Sequence, residues 1–200
     1  MTRALLIVDV QNDFIEGGAL GVAGGNAVAA GIAELLSGEA GGSRQSAGSH
    51  DYALIAASRD WHEGDSDNGG HFAAPGTAPD FVTTWPAHCV QGTSGAEYHV
   101  ALPLDRIDVH VRKGTGEPAY SAFDGNTRDG RDLAAVLAER GIEALDVVGI
   151  ATDYCVRASA LDAVQAGLRV RLLSDLVAGV APESSAAALR ELATAGVEIC

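Results

Sequence analysis

The feature that most constrains the fold is a series of short, continuously apolar segments separated by helical patterns. Continuous rather than alternating apolar runs are typical of strands that are buried on both faces of a parallel sheet. These runs cover residues 4–8, 52–57, 107–111, 145–150 and 170–173, with a short strand at 197–200. Strands that alternate with helices are joined by right-handed crossovers, which place helices on both faces of the sheet. The sequence therefore predicts a three-layer α/β/α architecture with a mostly parallel sheet.

The helical patterns between the runs are bounded by capping residues. Asn26 is predicted as the N-cap of the first helix, because its side chain can accept a hydrogen bond from a free backbone N–H. Pro182 suits the first turn of the last helix and Gly196 its end. The inward-facing positions predicted for that last helix are Leu189, Leu192 and Ala193.

Composition limits the class of protein. The chain has 200 residues, a length that suits a single domain over 1–200, and its 13 basic and 27 acidic side chains give a net charge of −14. Such a charge argues against nucleic-acid binding. No apolar segment is long enough for a membrane helix, and the N-terminal run is too short for a signal peptide. The three cysteines are too few for a disulfide framework, so a cytoplasmic protein is expected, as a monomer or a homo-oligomer.

Two segments interrupt the alternation of strands and helices. Residues 37–50 are rich in Gly and Ser and are expected to form a mobile surface loop without chemistry of its own. Residues 59–100 contain no convincing helix, yet they are rich in His, Trp, Asp, Pro and Phe. Long irregular segments in compact domains are usually functional or disordered. The aromatic content of the 59–100 segment favours a functional loop region.

Chemically capable side chains follow four of the predicted strands. Asp9, Asp60 and Lys113 end the first, second and third runs, and Cys155 follows the fourth. In open parallel sheets, ligands bind at the carboxyl ends of the strands. Each position alone is commonly occupied by a charged residue without function, but together the four predict a site at one edge of the sheet.

Cys155 is the predicted nucleophile of this site. It lies where a strand turns into a helix, and the helix N-terminus together with Lys113 is expected to lower the thiol pKa. Asp9 could accept the thiol proton, and this arrangement suits acyl transfer, with backbone N–H groups as the oxyanion hole. The other two cysteines, Cys89 and Cys200, are interpreted as structural or incidental.

The 59–100 segment contains a candidate metal site. One carboxylate and three imidazoles could bind zinc, iron or manganese and leave positions open for water; these residues are Asp60, His62, His71 and His88. The alternative is that the histidines are ordinary loop residues, and the spacing alone leaves both interpretations open. No role is assigned to His50, His99 or His110.

Four sequence strings resemble a known family. Residues 7–14 (IVDVQNDF) are similar to the opening motif of the isochorismatase-like cysteine hydrolases. Residues 58–62 (SRDWH), 85–93 (WPAHCVQGT) and 148–156 (VGIATDYCV) resemble, more narrowly, the nicotinamidase/pyrazinamidase branch of that superfamily. The resemblance extends from about residue 4 to the C-terminus, with 37–50 the least similar stretch. It implies the Rossmann-like isochorismatase hydrolase fold.

The resemblance also implies an activity. Members of this branch are metal-dependent amidohydrolases that convert nicotinamide, and pyrazinamide, to the acid and ammonia through a thioester, a step in NAD salvage. Cys155 would attack the carboxamide, Asp9 would carry the proton, and Lys113 would hold the pair in place. The backbone of Ala151 would help to bind the oxyanion, next to a cis Ile150–Ala151 peptide bond.

The ligands follow from the same resemblance. One divalent metal ion, zinc, iron or manganese, would be bound by Asp60, His62, His71 and His88. Phe14, Trp85 and Tyr120 would line the slot for the substrate ring, and Gln11 and Tyr154 are also expected to bind substrate.

The chain departs from the family pattern at two places. Tyr154 precedes the nucleophile where close relatives often have histidine, and the His62–His71 interval is longer than usual. Two alternatives remain at this point. One is a related amidase acting on another small amide or carbamoyl group, and the other is a non-catalytic metal-binding protein on the same fold.

Overall fold

The computed structural model describes residues 1–38 and 52–200, so the loop expected at 37–50 lies almost entirely outside the described residues. A seven-stranded sheet forms the centre, with the strand order β4-β3-β2-β1-β5-β6-β7. Neighbouring strands are parallel except for the antiparallel β3–β4 pair. The strands are Arg3–Val8 (β1), Leu54–Asp60 (β2), Val109–Lys113 (β3), Asn126–Thr127 (β4), Ala144–Ile150 (β5), Arg169–Ala178 (β6) and Glu198–Ile199 (β7).

Helices cover both faces of this sheet. The α-helices of the described part are Gly25–Ser37 (α1), Leu133–Glu139 (α2), Arg157–Gln165 (α3) and Pro182–Thr194 (α4). Apolar side chains of α1 share one core with Leu5 and Ile7, whereas those of α2, α3 and α4 share the other with Leu6 and Val8. Successive residues of β1 point to opposite faces, so its continuous apolar run feeds both cores. The predicted three-layer α/β/α fold is confirmed.

Several local predictions were wrong. Gly24, not Asn26, is the N-cap of α1. The carboxylate of Glu16 accepts hydrogen bonds from the backbone N–H groups of Gly24 and Asn26, at 2.7 and 2.8 Å. This long-range cap takes over the role assigned to Asn26. In α4, Leu192 is buried but Ala193 is exposed, and Ala188 takes the inward position instead.

The short strand β4 was not predicted. It extends only over two residues, too few for a periodicity to show. β6 is longer than its apolar run, because its pairing with β5 shifts register between Val147 and Gly149 and then continues to Ala178. Among the described residues, no helix is long and apolar enough to span a membrane.

Gly149 allows β5 to lie unusually close to β1. Its φ is +120°, and a Cβ at this position would be 2.1 Å from the carbonyl oxygen of Val8. Glycine is required because any side chain would collide with this backbone. The close approach brings the end of β5 next to Asp9, which directly follows β1.

A buried carboxylate lies within the sheet. The Asp146 side chain accepts hydrogen bonds from Arg3, from Arg171 (2.8 and 2.5 Å) and from the Tyr52 hydroxyl (3.0 Å). Burial alone raises the pKa of Asp146, but the hydrogen bonds and charge of Arg171, together with Tyr52 and Arg3, outweigh it and hold the pKa below its usual value.

We expect Asp146→Asn to lower the free energy of unfolding by about 2 kcal/mol at pH 7, because it removes charge-assisted hydrogen bonds. A carboxyl group whose pKa is lower in the folded state stabilises the fold above its unfolded pKa, about 3.9. That stabilisation disappears as the pH falls through the folded pKa. The difference in Tm between wild type and Asp146→Asn should therefore narrow below about pH 4. Glu117→Gln, at an exposed position, is the control. A Tm difference between wild type and Asp146→Asn that does not change with pH would contradict the lowered pKa of Asp146.

Candidate active site

The four chemically capable residues meet at one edge of the sheet. Asp9 directly follows β1, and Asp60 and Lys113 are the last residues of β2 and β3. Cys155 lies in a π-helical turn, Thr152–Val156, between β5 and α3. Turns of this type occur frequently at functional sites. All four side chains are buried.

Asp9 adopts a strained backbone conformation. Its φ is +48°, a left-handed value that costs free energy for a residue with a side chain. One carboxylate oxygen, Oδ1, accepts a hydrogen bond from the Ser58 hydroxyl at 2.7 Å. The other, Oδ2, lies 2.8 Å from the Lys113 ammonium and accepts no further hydrogen bond from the described residues. Oδ2 is therefore available to take a proton.

Lys113 links two buried carboxylates. Its ammonium group contacts both Asp9 and Asp60, and the carbonyl oxygen of Ala119 accepts a further bond at 3.3 Å. Burial lowers the pKa of Lys113, but the two carboxylates more than compensate and raise it well above its usual value. Burial also raises the pKa of Asp60, and Lys113 reverses this so that Asp60 stays ionised. For Asp9, burial outweighs Lys113, and its pKa is raised.

The protonation state of Cys155 corrects a prediction. Its sulfur lies 3.6 Å from the Lys113 ammonium, so the two groups are neighbours as expected. Burial nevertheless raises the pKa of the Cys155 thiol well above its usual value; Lys113 opposes this, while the charges of Asp9 and Asp60 add to it. The expected lowering of the thiol pKa was wrong because desolvation exceeds the effect of one ammonium already shared by two carboxylates. Burial at this position therefore favours the thiol over the thiolate.

Three imidazoles form a compact cluster beside this group. One ligand atom from each of His62, His71 and His88 lies within 4.8 Å of the others. Asp60 Oδ2 lies 3.5 Å from His62 Nε2 and 3.7 Å from His88 Nε2. Burial, together with the neighbouring His62 and His88, lowers the pKa of His71 to about 3. The long 62–71 interval therefore does not keep His71 from the cluster.

The orientation of the histidines fits a divalent metal ion. His62 Nδ1 lies 2.6 Å from the carbonyl oxygen of Gly114, and His88 Nδ1 lies 2.8 Å from that of Pro86. Each carbonyl fixes the tautomer in which Nε2 keeps its lone pair, as is common for metal-binding histidines. Two buried nitrogens, His62 Nε2 and His71 Nδ1, have no hydrogen-bond partner among the described residues. A cation here would satisfy donor atoms that are otherwise left buried and unpaired.

Gly114 is needed for this arrangement. Its φ is +76°, and a Cβ there would be 2.5 Å from the His62 ring. The glycine thus allows the backbone at the end of β3 to contact the imidazole directly.

A cavity of about 290 Å³ opens in front of Cys155, and Asp60, His71 and His88 also line it. Of the residues predicted to bind substrate, four line this cavity: Phe14, Trp85, Tyr120 and Tyr154. Trp85 donates to the Tyr120 hydroxyl at 3.1 Å, and its ring meets Tyr154 edge-on at a centroid distance of 5.1 Å. Ala151 lies on the cavity wall, and the Ile150–Ala151 peptide bond is cis, as the resemblance implies.

Gln11 does not line the cavity, which corrects its predicted role in substrate binding. Its buried amide accepts a hydrogen bond from the backbone N–H of Asp60 at 2.8 Å and donates to the carbonyl oxygens of Asp60 and Ala96, at 2.9 and 3.0 Å. Two of these three hydrogen bonds hold the end of β2, and the third ties it to the turn that contains Ala96. Gln11 therefore positions Asp60.

Sequence reasoning missed two supporting side chains. Ser58 holds Asp9, and it lies two residues before Asp60 in the same strand, a spacing that puts both side chains on one face. Asp13 Oδ2 accepts a hydrogen bond from the backbone N–H of Cys89 at 2.7 Å and so anchors the loop that carries His88. Cys89 itself is fully buried, and burial raises its thiol pKa. Cys200 is exposed, and all three cysteines are unpaired.

Together, the parallel sheet, the buried thiol with its carboxylate and ammonium, and the histidine cluster define an α/β protein of the cysteine-hydrolase class. The chain belongs to the isochorismatase family, because the isochorismatase domain model matches residues 3–200. It is 47% identical over 197 residues to the nicotinamidase/pyrazinamidase of Mycobacterium tuberculosis, covering 98% of this chain and 97% of that protein.

Solved structures agree with this assignment. A structure of PnC1 from L. infantum in complex with nicotinate is 35% identical, has a TM-score of 0.81, and is matched over 100% of this chain and 92% of that one. The pyrazinamidase of Pyrococcus horikoshii in complex with zinc is 37% identical with a TM-score of 0.78, matched over 100% of this chain and 99% of the other.

Proposed function

We propose that this protein is a metal-dependent amidohydrolase that converts nicotinamide, and pyrazinamide, to the carboxylic acid and ammonia. The main observation in support is that the Cys155 thiol lies on an aromatic cavity. The Lys113 ammonium is 3.6 Å from its sulfur, and Asp9 is paired to Lys113 at 2.8 Å. The similarity to nicotinamidases and pyrazinamidases over nearly the whole chain supports this substrate class. NAD salvage, in a reducing cytoplasm that keeps the cysteines unpaired, is the proposed setting.

Binding precedes the chemistry. A flat heteroaromatic amide fits between aromatic walls, whose apolar faces exclude water, and Phe14, Trp85 and Tyr120 provide such walls. The carboxamide carbon would then lie over the Cys155 sulfur. Tyr154, at the position where relatives often have histidine, presents its ring to the same cavity and would contribute to ring packing.

The first half-reaction forms a thioester. As the Cys155 sulfur attacks the carboxamide carbon, its proton passes to Asp9 Oδ2, and backbone N–H groups near Ala151 and Cys155 stabilise the oxyanion. Asp9 then gives that proton to the amide nitrogen, the C–N bond breaks, and ammonia leaves. The raised pKa of Asp9 suits this role, because the group must hold a proton transiently. Lys113 keeps its charge throughout and stabilises the developing thiolate.

The second half-reaction returns the enzyme to its initial state. Asp9 takes a proton from a water molecule, whose oxygen attacks the thioester carbon. The C–S bond then breaks, the acid is released, and Cys155 regains its proton from Asp9. The proton that Asp9 took from water thus returns to the Cys155 sulfur, and no external proton donor is needed.

Asp60, His62, His71 and His88 would hold one divalent ion. When bound, such an ion supplies Lewis acidity toward a ring nitrogen or an ordered water in the cavity. Asp60, His71 and His88 line the cavity wall, so an ion held there would also help to orient the substrate ring toward Cys155. The carbonyl groups of Gly114 and Pro86 keep the imidazoles oriented for this task.

Removal of metal should suppress turnover at least about tenfold, and added zinc, iron or manganese should restore it. Because structural and catalytic losses could be confused, metal content is measured alongside activity by elemental analysis. His88→Ala should reduce the bound metal per chain, whereas His110→Ala, outside the cluster, should leave it unchanged. Full activity in protein shown to be free of metal would contradict the proposed metal role.

A further inference from the structure

The mouth of the cavity carries large apolar side chains in unusually exposed positions. Phe81 is 55% exposed and Val180 is 52% exposed, and both line the cavity. Exposed single hydrophobic residues are ordinary on protein surfaces. Phe81 and Val180, however, border the same cavity, and we call this pair the rim.

Phe81 is held in an unfavourable backbone conformation. Its φ is +57°, a value that bulky residues rarely adopt and that a glycine or asparagine would tolerate better. The ring contacts Trp85 edge-on at a centroid distance of 6.2 Å, but more than half of the side chain faces solvent. Burial in the core therefore compensates little of the cost of placing phenylalanine here.

A dense set of hydrogen bonds enforces this conformation. The Asp80 carboxylate accepts bonds from the backbone N–H groups of Val82, Thr83 and Thr84, at 2.9, 2.8 and 2.8 Å. Thr84 adds two hydrogen bonds. Its hydroxyl accepts one from the backbone N–H of Asp80 at 3.0 Å, and its carbonyl oxygen accepts one from the backbone N–H of Phe81 at 3.1 Å. The turn is thus tied together by five hydrogen bonds although it is exposed. Strained residues held by their surroundings are concentrated at functional sites.

The second rim residue is fixed from the catalytic side. The backbone N–H of Val180 donates to Asp153 Oδ1 at 2.9 Å. Asp153 belongs to the same π-helical turn as Cys155. The position of Val180 is therefore coupled to that of the nucleophile, whereas Phe81 is attached to the loop that carries Trp85.

We propose that Phe81 is a specificity-determining residue for the ring of the amide substrate. Its fixed ring extends the aromatic wall of Trp85 outward, contacts the outer edge of a single bound ring, and with Val180 excludes amides whose ring carries a bulky substituent. The cavity volume of about 290 Å³ leaves room for a single aromatic ring with its carboxamide. This inference rests on the proposed function and identifies what limits its substrate range.

The test compares steady-state kinetics on nicotinamide and on nicotinamides that carry a methyl or phenyl group at each ring carbon in turn. Phe81→Ala should raise KM for nicotinamide about fivefold to tenfold, because an aromatic contact is lost, and should change kcat less than about twofold. Its kcat/KM for at least one phenyl-substituted amide, relative to nicotinamide, should rise about tenfold or more. Phe81→Tyr keeps an aromatic ring at this position and should therefore show the wild-type KM and selectivity.

Two further variants separate function from folding. Phe81→Asn should keep or raise Tm, because asparagine tolerates the left-handed conformation, and yet should raise KM as Phe81→Ala does. Asp80→Ala should shift KM and selectivity in the same direction to a smaller extent, because Phe81 stays but loses its fixed position. Val82→Ala is the matched control, since Val82 is 67% exposed and bonded to the same carboxylate but does not line the cavity.

The outcomes are distinguishable. An unchanged KM and selectivity in Phe81→Ala, while wild type hydrolyses nicotinamide, would overturn the assignment of Phe81 alone. Changes of KM and selectivity in Val82→Ala as large as those in Phe81→Ala would overturn it as well, since the turn rather than the Phe81 ring would then determine selectivity. A wild-type protein that releases no ammonia in the same assay would overturn the proposed function itself.

Discussion

Cys155→Ala is expected to abolish ammonia release from nicotinamide, with a loss of at least about a thousandfold, because it removes the thiol that faces the cavity. The reaction then lacks its proposed nucleophile, although the cavity and the proposed metal ligands remain. The fold should persist, since replacing one thiol leaves only a small void. Ammonia release in a coupled assay and Tm by calorimetry check the two parts of this expectation.

The matched control is Cys200→Ala, which removes an exposed thiol far along the chain from the site. It should retain wild-type turnover. Residual activity of Cys155→Ala above about a tenth of wild type, in protein with wild-type Tm, would refute the nucleophile assignment.

Lys113→Met should have the largest effect on stability as well as removing activity. The substitution keeps most of the side-chain volume but leaves Asp9 and Asp60 buried without their shared cation. Removing one partner of a buried ion pair costs about 3–5 kcal/mol. Both carboxyl groups should then take up protons more readily, so part of the loss should be recovered as the pH is lowered. Chemical denaturation at pH 7 and pH 5 measures this.

Arg131→Met provides the comparison, because the ion pairs of Arg131 with Asp129 and Glu139 are exposed and contribute little. Its Tm should remain close to that of wild type. Equal losses in the two variants, or a Lys113→Met protein as stable as wild type, would show that the buried cation does not hold the site together.

Much of the site could be predicted because strand ends are visible in the sequence. Asp9, Asp60 and Lys113 end apolar runs, and in a parallel sheet those ends share one edge. The three histidines could be proposed but not positioned, since loop geometry does not follow from spacing. Their cluster depends on carbonyl contacts with Gly114 and Pro86 that no local pattern reveals.

Other features could not be predicted for definable physical reasons. Gln11 belongs to the opening motif, but motif membership does not reveal whether a side chain faces the cavity or the backbone of β2. The thiol pKa of Cys155 depends on how completely it is desolvated, which only packing determines. Phe81 was missed because its turn is built from Asp80 and Thr84 within an irregular segment, where neither helical nor strand periodicity marks the facing side chains.

Nicotinamide hydrolysis is tested most directly by measuring ammonia and nicotinate together after purified, metal-loaded wild-type protein is incubated with nicotinamide. We expect equimolar ammonia and nicotinate, with neither product above background for Cys155→Ala under the same conditions. A folded, metal-loaded wild-type protein that forms neither product would contradict it.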